Sequence, residues 1–469
     1  MNSPTNNYAA IVSRVMDIEE VTWGDPRNDF LIRFRGTLTQ DLTQAKSYLT
    51  HQLRPEKLSP IIRVENGQTT ILLVSDPLTS IVSQVFDIQD TTWAEPDQPH
   101  IVRYLGRLTR DSIEAYDYLA ETLQDRDITP LFRVEEGQHA IILLKGVNRP
   151  KPSNPWVNLL MFLLTLISVA LVGAMNALEG PLPANVEHGG LATFFLYLFT
   201  RIWQGWPFAA SLLAILLAHE FGHYFAGRIH KTPVTLPYFI PFPFPPFGTL
   251  GAFIQLKAAP KNKRVLLDIG VAGPLAGFVV AIPILFLGLS LSRIEPIPFN
   301  TALQMEGNSI LYLLAKYIVF GEWLPAPFSY GDTSPLLYWI RYFFTGRPLP
   351  LGGRDVFLHP VALAGWGGLL VTALNLIPAG QLDGGHLIFV LLGRKARRLL
   401  PYILVALFGL GFIWQGWWLW ALIISFLGRA YAEPLDQITQ LDSRRRLIAI
   451  LGLVIFFLVF TPVPLQIFA

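Results

Sequence analysis

Residues 208–225, FAASLLAILLAHEFGHYF, decide how the rest of the chain is read. An apolar run of this length predicts a helix, and on a helix residues four apart share a face. His219 and His223 therefore turn their imidazoles to the same side, where both can hold one Zn²⁺. Glu220, between them, reaches a water activated by that metal. A carboxylate and two imidazoles at membrane depth cost roughly a few kcal/mol each, and such residues mark a functional site by default. The reading to set against this is a set of satisfied core groups.

A zinc site that keeps one position open takes three protein ligands. The chain has no Cys, so a thiolate cannot be the third, and disulfides and thiolate catalysis are excluded with it. The candidate is Asp383, within NLIPAGQLDGGH at residues 375–386. It follows a nearly uncharged run over residues 357–377 that has His359 near its start; Pro378 and Gly380 end a helix there, and Gly384-Gly385 loosen the backbone beyond. A carboxylate just past a helix end can turn back to a metal. On this segment alone an ordinary Asp-Gly turn competes equally; paired with the His-Glu motif, the ligand reading is favoured.

With both elements in hand, the chain resembles the site-2 protease family of intramembrane zinc metalloproteases, whose signatures are HExxH and a distal Asn, Pro and Asp-Gly element. The second element is Asn375, Pro378, Asp383 and Gly384, and the likeness extends to GTLGAFIQLK at 248–257 and VAGPLAG at 271–277. It covers roughly residues 155–430 and is greatest to the cyanobacterial members and the plastid ethylene-dependent gravitropism-deficient and yellow-green proteins. The Gly-Asn-Leu-Arg motif associated with those plastid relatives is missing from the soluble part. The resemblance implies one Zn²⁺ per chain on His219, His223 and Asp383, Glu220 as catalytic acid and base, and Asn375 as an oxyanion donor or a group supporting the site. For Asn375 a helix cross-link is the alternative. His386 reads as a solvated loop residue. The implied activity is hydrolysis of peptide bonds in transmembrane protein substrates, with cleavage of a membrane-tethered transcription regulator as one family-level case. A metal carrier or an idle scaffold is the rival reading, disfavoured because the intramembrane ionisable groups gather at one site.

Composition fits an integral membrane protein: 52% hydrophobic, 15% charged, with 32 Phe and 12 Trp. Charge is concentrated in the first 150 residues and in short clusters between apolar runs. The basic clusters at 257–264, 394–398 and 444–446 set topology; nothing argues for nucleic-acid binding.

The N-terminal region reads as a duplication. IVS at 11–13, Thr22-Trp23, Arg33, Gly36, Asp41 and Arg63-Val64-Glu65 recur 70 residues later as IVS at 81–83, Thr92-Trp93, Arg103, Gly106, Asp111 and Arg133-Val134-Glu135. Each copy reads strand, strand, helix, strand, strand, with Asn66-Gly67 as a hairpin turn in the first and Asp41 and Asp111 among the helix-cap residues. The expected domains are repeat 1 (1–75), repeat 2 (76–147), a Pro-rich linker (148–155) and a membrane domain (156–469). His51, His100 and His139 read as surface or packing residues. The pair is either a sensor or size filter for trimmed substrates, or a docking or folding module.

The expected fold class is a multi-pass α-helical membrane protein with a re-entrant β-hairpin, preceded by a soluble tandem α+β domain. The basic linker and the absence of a secretory signal at the start place the N-terminal region on the cytoplasmic side or its organelle equivalent. Residues 156–178 go outward and 206–226 return; 265–291 go outward and 357–377 return, which brings Asp383 to the side of His219 and His223. Residues 191–200 read as a short or interfacial helix. Residues 233–257, broken by Pro and Gly, read as a re-entrant hairpin whose strand at 250–256 can pair with an unwound substrate. Residues 400–427 read as a tight hairpin, with one long tilted helix as the alternative, and 447–468 as a last span. A photosynthetic source would make the cytoplasmic or thylakoid membrane the location, on the resemblance alone.

Overall fold

The computed structural model describes residues 4–24, 30–56, 58–65, 68–75, 77–94, 100–178, 182–298 and 303–468. Two compact units emerge: Met1–Arg149 with Leu435–Thr439, and Pro150–Pro434 with Gln440–Ala469. Residues 435–439, which the sequence reading left inside 156–469, therefore cluster with the N-terminal unit.

The first unit begins with α1 (Pro4–Val12), β1 (Met16–Trp23), β2 (Ile32–Leu38), α2 (Leu42–Leu53), β3 (Leu58–Glu65) and β4 (Gln68–Ser75). It continues with α3 (Pro77–Val82), β5 (Phe86–Trp93), β6 (His100–Leu108), α4 (Ser112–Gln124), β7 (Ile128–Glu135) and β8 (Gln138–Lys145). The strands form two antiparallel sheets, β1-β2-β4-β3 and β5-β6-β8-β7. Helices α1 and α3 lie mostly ahead of the first strand of each copy, and the sequence reading of strand, strand, helix, strand, strand did not include them. Helix α2 buries Ala45, Leu49 and Leu53, and α4 buries Ala115, Leu119 and Leu123; a spacing of four keeps each set on one stripe against its sheet. Asp41 and Asp111 cap these helices, each accepting from the backbone N–H two residues on, at 3.0 and 2.9 Å. Bulges at Ile18/Glu20 and Ile88/Asp90 fall at matching places. Opposite them a Cβ on Gly36 or Gly106 would sit 1.9 Å from the carbonyl oxygen of Asp17 or Asp87. The Asn66-Gly67 turn lies outside the described residues.

The second unit contains α5 (Pro155–Asn176), a short α6 (Ala184–Glu187), α7 (Gly190–Thr200), α8 (Trp206–Ile229), β9 (Tyr238–Pro241), β10 (Thr249–Phe253) and α9 (Lys263–Ser290). After these come β11 (Arg293–Pro296), β12 (Leu303–Glu306), α10 (Ile310–Phe320), α11 (Pro335–Thr345), β13 (Arg354–Phe357) and α12 (Pro360–Asn375). The remaining elements are α13 (Asp383–Leu392), α14 (Leu400–Gly411), α15 (Gly416–Leu427), α16 (Ser443–Val459) and β14 (Leu465–Phe468). Among the described residues three helices, Pro155–Asn176, Ile202–Ile229 and Lys263–Ser290, are long and apolar enough to cross a membrane; α7, α10, α12 and α15 are shorter apolar helices.

Residues 400–427 form two short helices joined by a turn, the hairpin of the two alternatives. The last apolar stretch departs from a simple span. Pro462 and Pro464 follow the end of α16, and β14 pairs antiparallel with β12. Helix α11 was absent from the sequence reading, which took residues 310–320 as the helix of that stretch. Strands β9 and β10 pair antiparallel, with a register shift between Thr249 and Ala252.

Candidate metal centre

Helices α8 and α9 pack along much of their length, and small residues make that approach possible. A Cβ at Gly273 of α9 would fall 2.1 Å from His223 Nε2, and one at Gly277 3.1 Å from His219 Cβ. In the sequence these glycines stood only as part of the VAGPLAG stretch; here they hollow out the space in which the two imidazoles sit. Their spacing gave the only signal, and it could not say what they faced. Helix α12 closes against α9, where a Cβ on Gly288 would meet Ala362 N at 2.1 Å.

Three ligand-type side chains converge in that space. His219 Nε2 lies 3.2 Å from Asp383 Oδ2, His223 Nε2 lies 3.3 Å from Asp383 Oδ1, and the two Nε2 atoms are 3.3 Å apart. A tetrahedral ion with bonds of about 2.0–2.1 Å separates its ligands by roughly 3.3 Å, the spacing of the two imidazole nitrogens and of each from its nearer Asp383 oxygen. Both histidines are buried. His223 Nδ1–H donates to the Ile269 carbonyl at 2.7 Å, which leaves Nε2 as the bare nitrogen facing the centre. The donor set, two imidazoles and one carboxylate, fits one Zn²⁺, and all three residues line a cavity of about 620 Å³.

Asp383 corrects one expectation. Instead of following a helix as loosened chain, it is the first residue of α13, and Gly384 and Gly385 lie inside that helix. Their missing side chains allow the tight reversal after α12: a Cβ on Gly384 would lie 2.0 Å from the Leu376 carbonyl oxygen, and one on Gly385 2.3 Å from that of Gly380. His386, read as a solvated loop residue, is on α13 instead, one turn beyond Asp383, and lines the cavity with its Cβ side against Gly270.

Glu220 is 4% exposed, and its Oε2 has no hydrogen-bond partner. The carboxylate faces the cavity and the backbone N–H of Ile254, just beyond β10. An unpaired buried carboxylate oxygen in the cavity that the three ligands line is placed to take up a proton. Asn375 Nδ2 approaches His219 Nε2 at 3.3 Å and lines the same cavity, as do Ala252 to Leu256 and Tyr431. The sequence-derived residues His219, Glu220, His223, Asn375 and Asp383 thus meet in one place.

Residues 207–413 match the peptidase family M50 model. Over 457 residues the chain is 26% identical to the "Probable zinc metalloprotease EGY1, chloroplastic" of Arabidopsis thaliana, covering 89% of this chain and 73% of that protein. The protein of the same name from Oryza sativa subsp. japonica is 29% identical over 80% of this chain and 65% of its own length. The Arabidopsis "Probable zinc metalloprotease EGY2, chloroplastic" is 30% identical over 56% of this chain and 42% of its own. The chain thus spans between about two fifths and three quarters of the length of these relatives. No solved structure matches.

Proposed function

Since the chain carries a peptidase family M50 domain over residues 207–413, we propose that it is an intramembrane zinc endopeptidase that hydrolyses peptide bonds of transmembrane protein substrates. The observation that carries this reading is the convergence of His219, His223 and Asp383 at zinc-ligand spacing in the cavity that Glu220, with its unpaired Oε2, also lines. In this reading the first three hold the metal. When bound, zinc supplies Lewis acidity that activates water and offsets negative charge on the scissile carbonyl.

The chain's own residues do the rest. Glu220 Oε2 takes the proton of the attacking water and returns it to the leaving nitrogen. Asn375 Nδ2 offers a hydrogen bond to the carbonyl oxygen as charge develops on it. The Ile269 carbonyl holds the His223 ring in its ligating orientation. Peptide hydrolysis needs an extended substrate, and β10 with the residues after it, along the cavity wall, offers a strand edge to hold one.

The β9–β10 hairpin fits a re-entrant segment, because irregular backbone at membrane depth is tolerated only against protein or a wet cavity. The proposed topology is multi-pass, with the N-terminal unit on the cytoplasmic or stromal side and the thylakoid as the membrane. That location rests on the plastid names of the relatives. Within the N-terminal unit, the two sheets are proposed to descend from an internal duplication at residues 1–75 and 76–147, followed by a linker at 148–155.

Purified wild-type protein and Glu220→Gln, incubated with a model transmembrane substrate and assayed for zinc, test the function. About one zinc per chain in both with cleavage by the wild type alone is expected. Zinc absent from well-folded protein would sink the site.

A further inference from the structure

We propose that the groove between α2 and the outer edge of β3 docks an extended acidic–apolar peptide segment of the substrate protein; the identity of that partner as substrate rests on the protease reading. Strands β3 and β7 hold the same outermost place in their sheets. Ile62 pairs with Ile71 as Phe132 pairs with Ile141, 70 residues later.

At β7 the edge is occupied by the chain itself. Residues 435–437 run parallel to it through a bridge between Phe132 and Asp436. Phe132 N–H donates to the Leu435 carbonyl at 2.9 Å, and Gln437 N–H donates to the Phe132 carbonyl at 3.1 Å. Arg133 Nη1 donates to the Leu435 carbonyl at 2.8 Å. Asp436 is buried, and its carboxylate accepts from Ser112 Oγ at 2.9 Å and from the Ile438 and Thr439 N–H groups at 2.8 and 3.2 Å. Leu435 and Ile438 pack into the core beside Tyr116 and Phe132. The bound segment therefore reads apolar, acidic, polar, apolar.

At β3, among the described residues, no segment pairs with the corresponding edge. The surroundings are open to match. Ile62 is half-buried where Phe132 is fully buried, and Arg63 is exposed where Arg133 is buried. Leu42 is 45% exposed where its counterpart Ser112 is 8% exposed. A cavity of about 550 Å³ lies along this face of α2, lined by Leu42, Lys46, Ser47, Thr50 and His51 and closed opposite by Asp90 of β5.

An open strand edge beside a groove that mixes apolar Leu42, Leu58 and Ile88 with polar side chains is the geometry of strand addition: main-chain hydrogen bonds hold the guest and alternate side chains select it. The selecting chemistry differs from that at β7. Lys46 stands where α4 has Tyr116, which packs on Phe132 of β7, so a cation is available near the guest's acidic side chain, while Ser112, the donor to Asp436 at β7, is replaced by Leu42. Lys46 Nζ is now 3.2 Å from Asp90 Oδ1 in a solvent-exposed pair, a contact of little net worth that a guest carboxylate can replace. Residues flanking 435–439 on both sides belong to the membrane-type unit. The occupant of the β7 edge is therefore itself extended chain adjoining apolar helices, the character that a segment flanking a substrate's membrane span would share.

The test uses the full chain carrying Glu220→Gln, so that no cleavage enters the binding measurement. The probe is a fluorescein-labelled peptide with the sequence of residues 433–441, EPLDQITQL, followed by anisotropy. Saturable binding, weakened at least ten-fold by Lys46→Glu or by the peptide EPLKQITQL and retained by Lys46→Arg, is expected. A photo-crosslinker on the peptide should mark residues 42–64. Absence of saturable binding, equal affinity for Lys46→Glu, or crosslinks confined to residues 112–133 would overturn the site. With the wild type, a model substrate bearing LDQI in its extramembrane tail should show a KM at least three-fold below that of the LKQI version at equal kcat. Peptide binding with no change in KM would overturn the substrate as occupant, and a protein that cleaves neither substrate would count against the protease reading while leaving the binding result standing.

Discussion

Two polar clusters lie inside the apolar unit, and they differ in whether ligand-type atoms converge on one point. At His219, Glu220, His223 and Asp383, bare ligand atoms stand 3.2–3.3 Å apart beside a cavity of about 620 Å³. At Glu306, Tyr312, Lys316 and Asp355 the groups are paired among themselves. Lys316 Nζ is 3.6 Å from Asp355 Oδ1 and 4.6 Å from the Tyr312 ring centre, while the Tyr312 hydroxyl donates to Glu306 at 2.8 Å. The Lys316 side chain is entirely buried. Burial of charge therefore does not by itself identify a reactive centre. What separates the two is the convergence of three metal-type ligands in the first; in the second, Lys316 Nζ, like Glu220 Oε2, lacks a hydrogen-bond partner but stands within ion-pair range of Asp355.

Paired substitutions break or sharpen that contrast. The largest effect belongs to Glu220→Gln, expected to cut cleavage of a transmembrane substrate by about 10²–10⁴-fold while zinc stays bound. Glu306→Gln, the same chemical change in the other cluster, should leave cleavage within about two-fold, on the order of the ordinary scatter between variants. A large loss from both would mean that the clusters are coupled.

Next comes the cost of removing one partner from each. Asp383→Asn should lower zinc content well below one per chain, measured by metal analysis after dialysis, because an amide is a poorer ligand than a carboxylate. Lys316→Met should leave zinc content alone but destabilise the protein by about 3–5 kcal/mol, since Asp355 is left buried and unpaired. Thermal unfolding in detergent reads this, and adding Asp355→Asn should recover part of it.

Asn375→Ala should lower kcat by about 10²-fold with little change in KM if the amide acts on the developing oxyanion, as its place beside His219 suggests. A loss of stability with kcat intact would assign it to helix packing.

The smallest effect is on pH dependence. Burial first, and then the neighbouring Asp355, push the Glu306 carboxyl up to about 7 from its ordinary 4.5. A carboxyl raised in the folded state adds stability that is complete below the unfolded value and lost as pH rises through the folded one. The melting temperature should therefore fall as pH rises from about 5 to about 8, and Glu306→Gln should flatten that slope. Glu306 keeps some surface where it borders a cavity of about 300 Å³, which moderates the change.

How much of this was legible in the sequence varies by element. The ligand pair His219 and His223 could be read directly, because both lie on one helix and helical periodicity fixes which residues share a face. Asp383 could be named but not placed: the chain from Asn375 to Asp383 reverses through contacts among Leu376, Gly380, Gly384 and Gly385 that no local pattern encodes. His386 went astray for the same reason, since Gly-Gly reads as a loop until neighbouring backbone packs against it. Helices α1 and α3 were not among the elements read for each copy.

By itself, the sequence determined the His219–His223 pair, the apolar helices and the 70-residue echo in the N-terminal region, because each depends on spacing along the chain. Only the tertiary structure decided that Gly273 and Gly277 make room for the imidazoles, that Glu220 keeps an unpaired oxygen, and that residues 435–439 fill one strand edge while no described residue pairs with its counterpart. Those features come from parts of the chain tens to hundreds of residues apart meeting at close range, where hard-core repulsion and unmet hydrogen bonds act between segments and leave no mark on local periodicity.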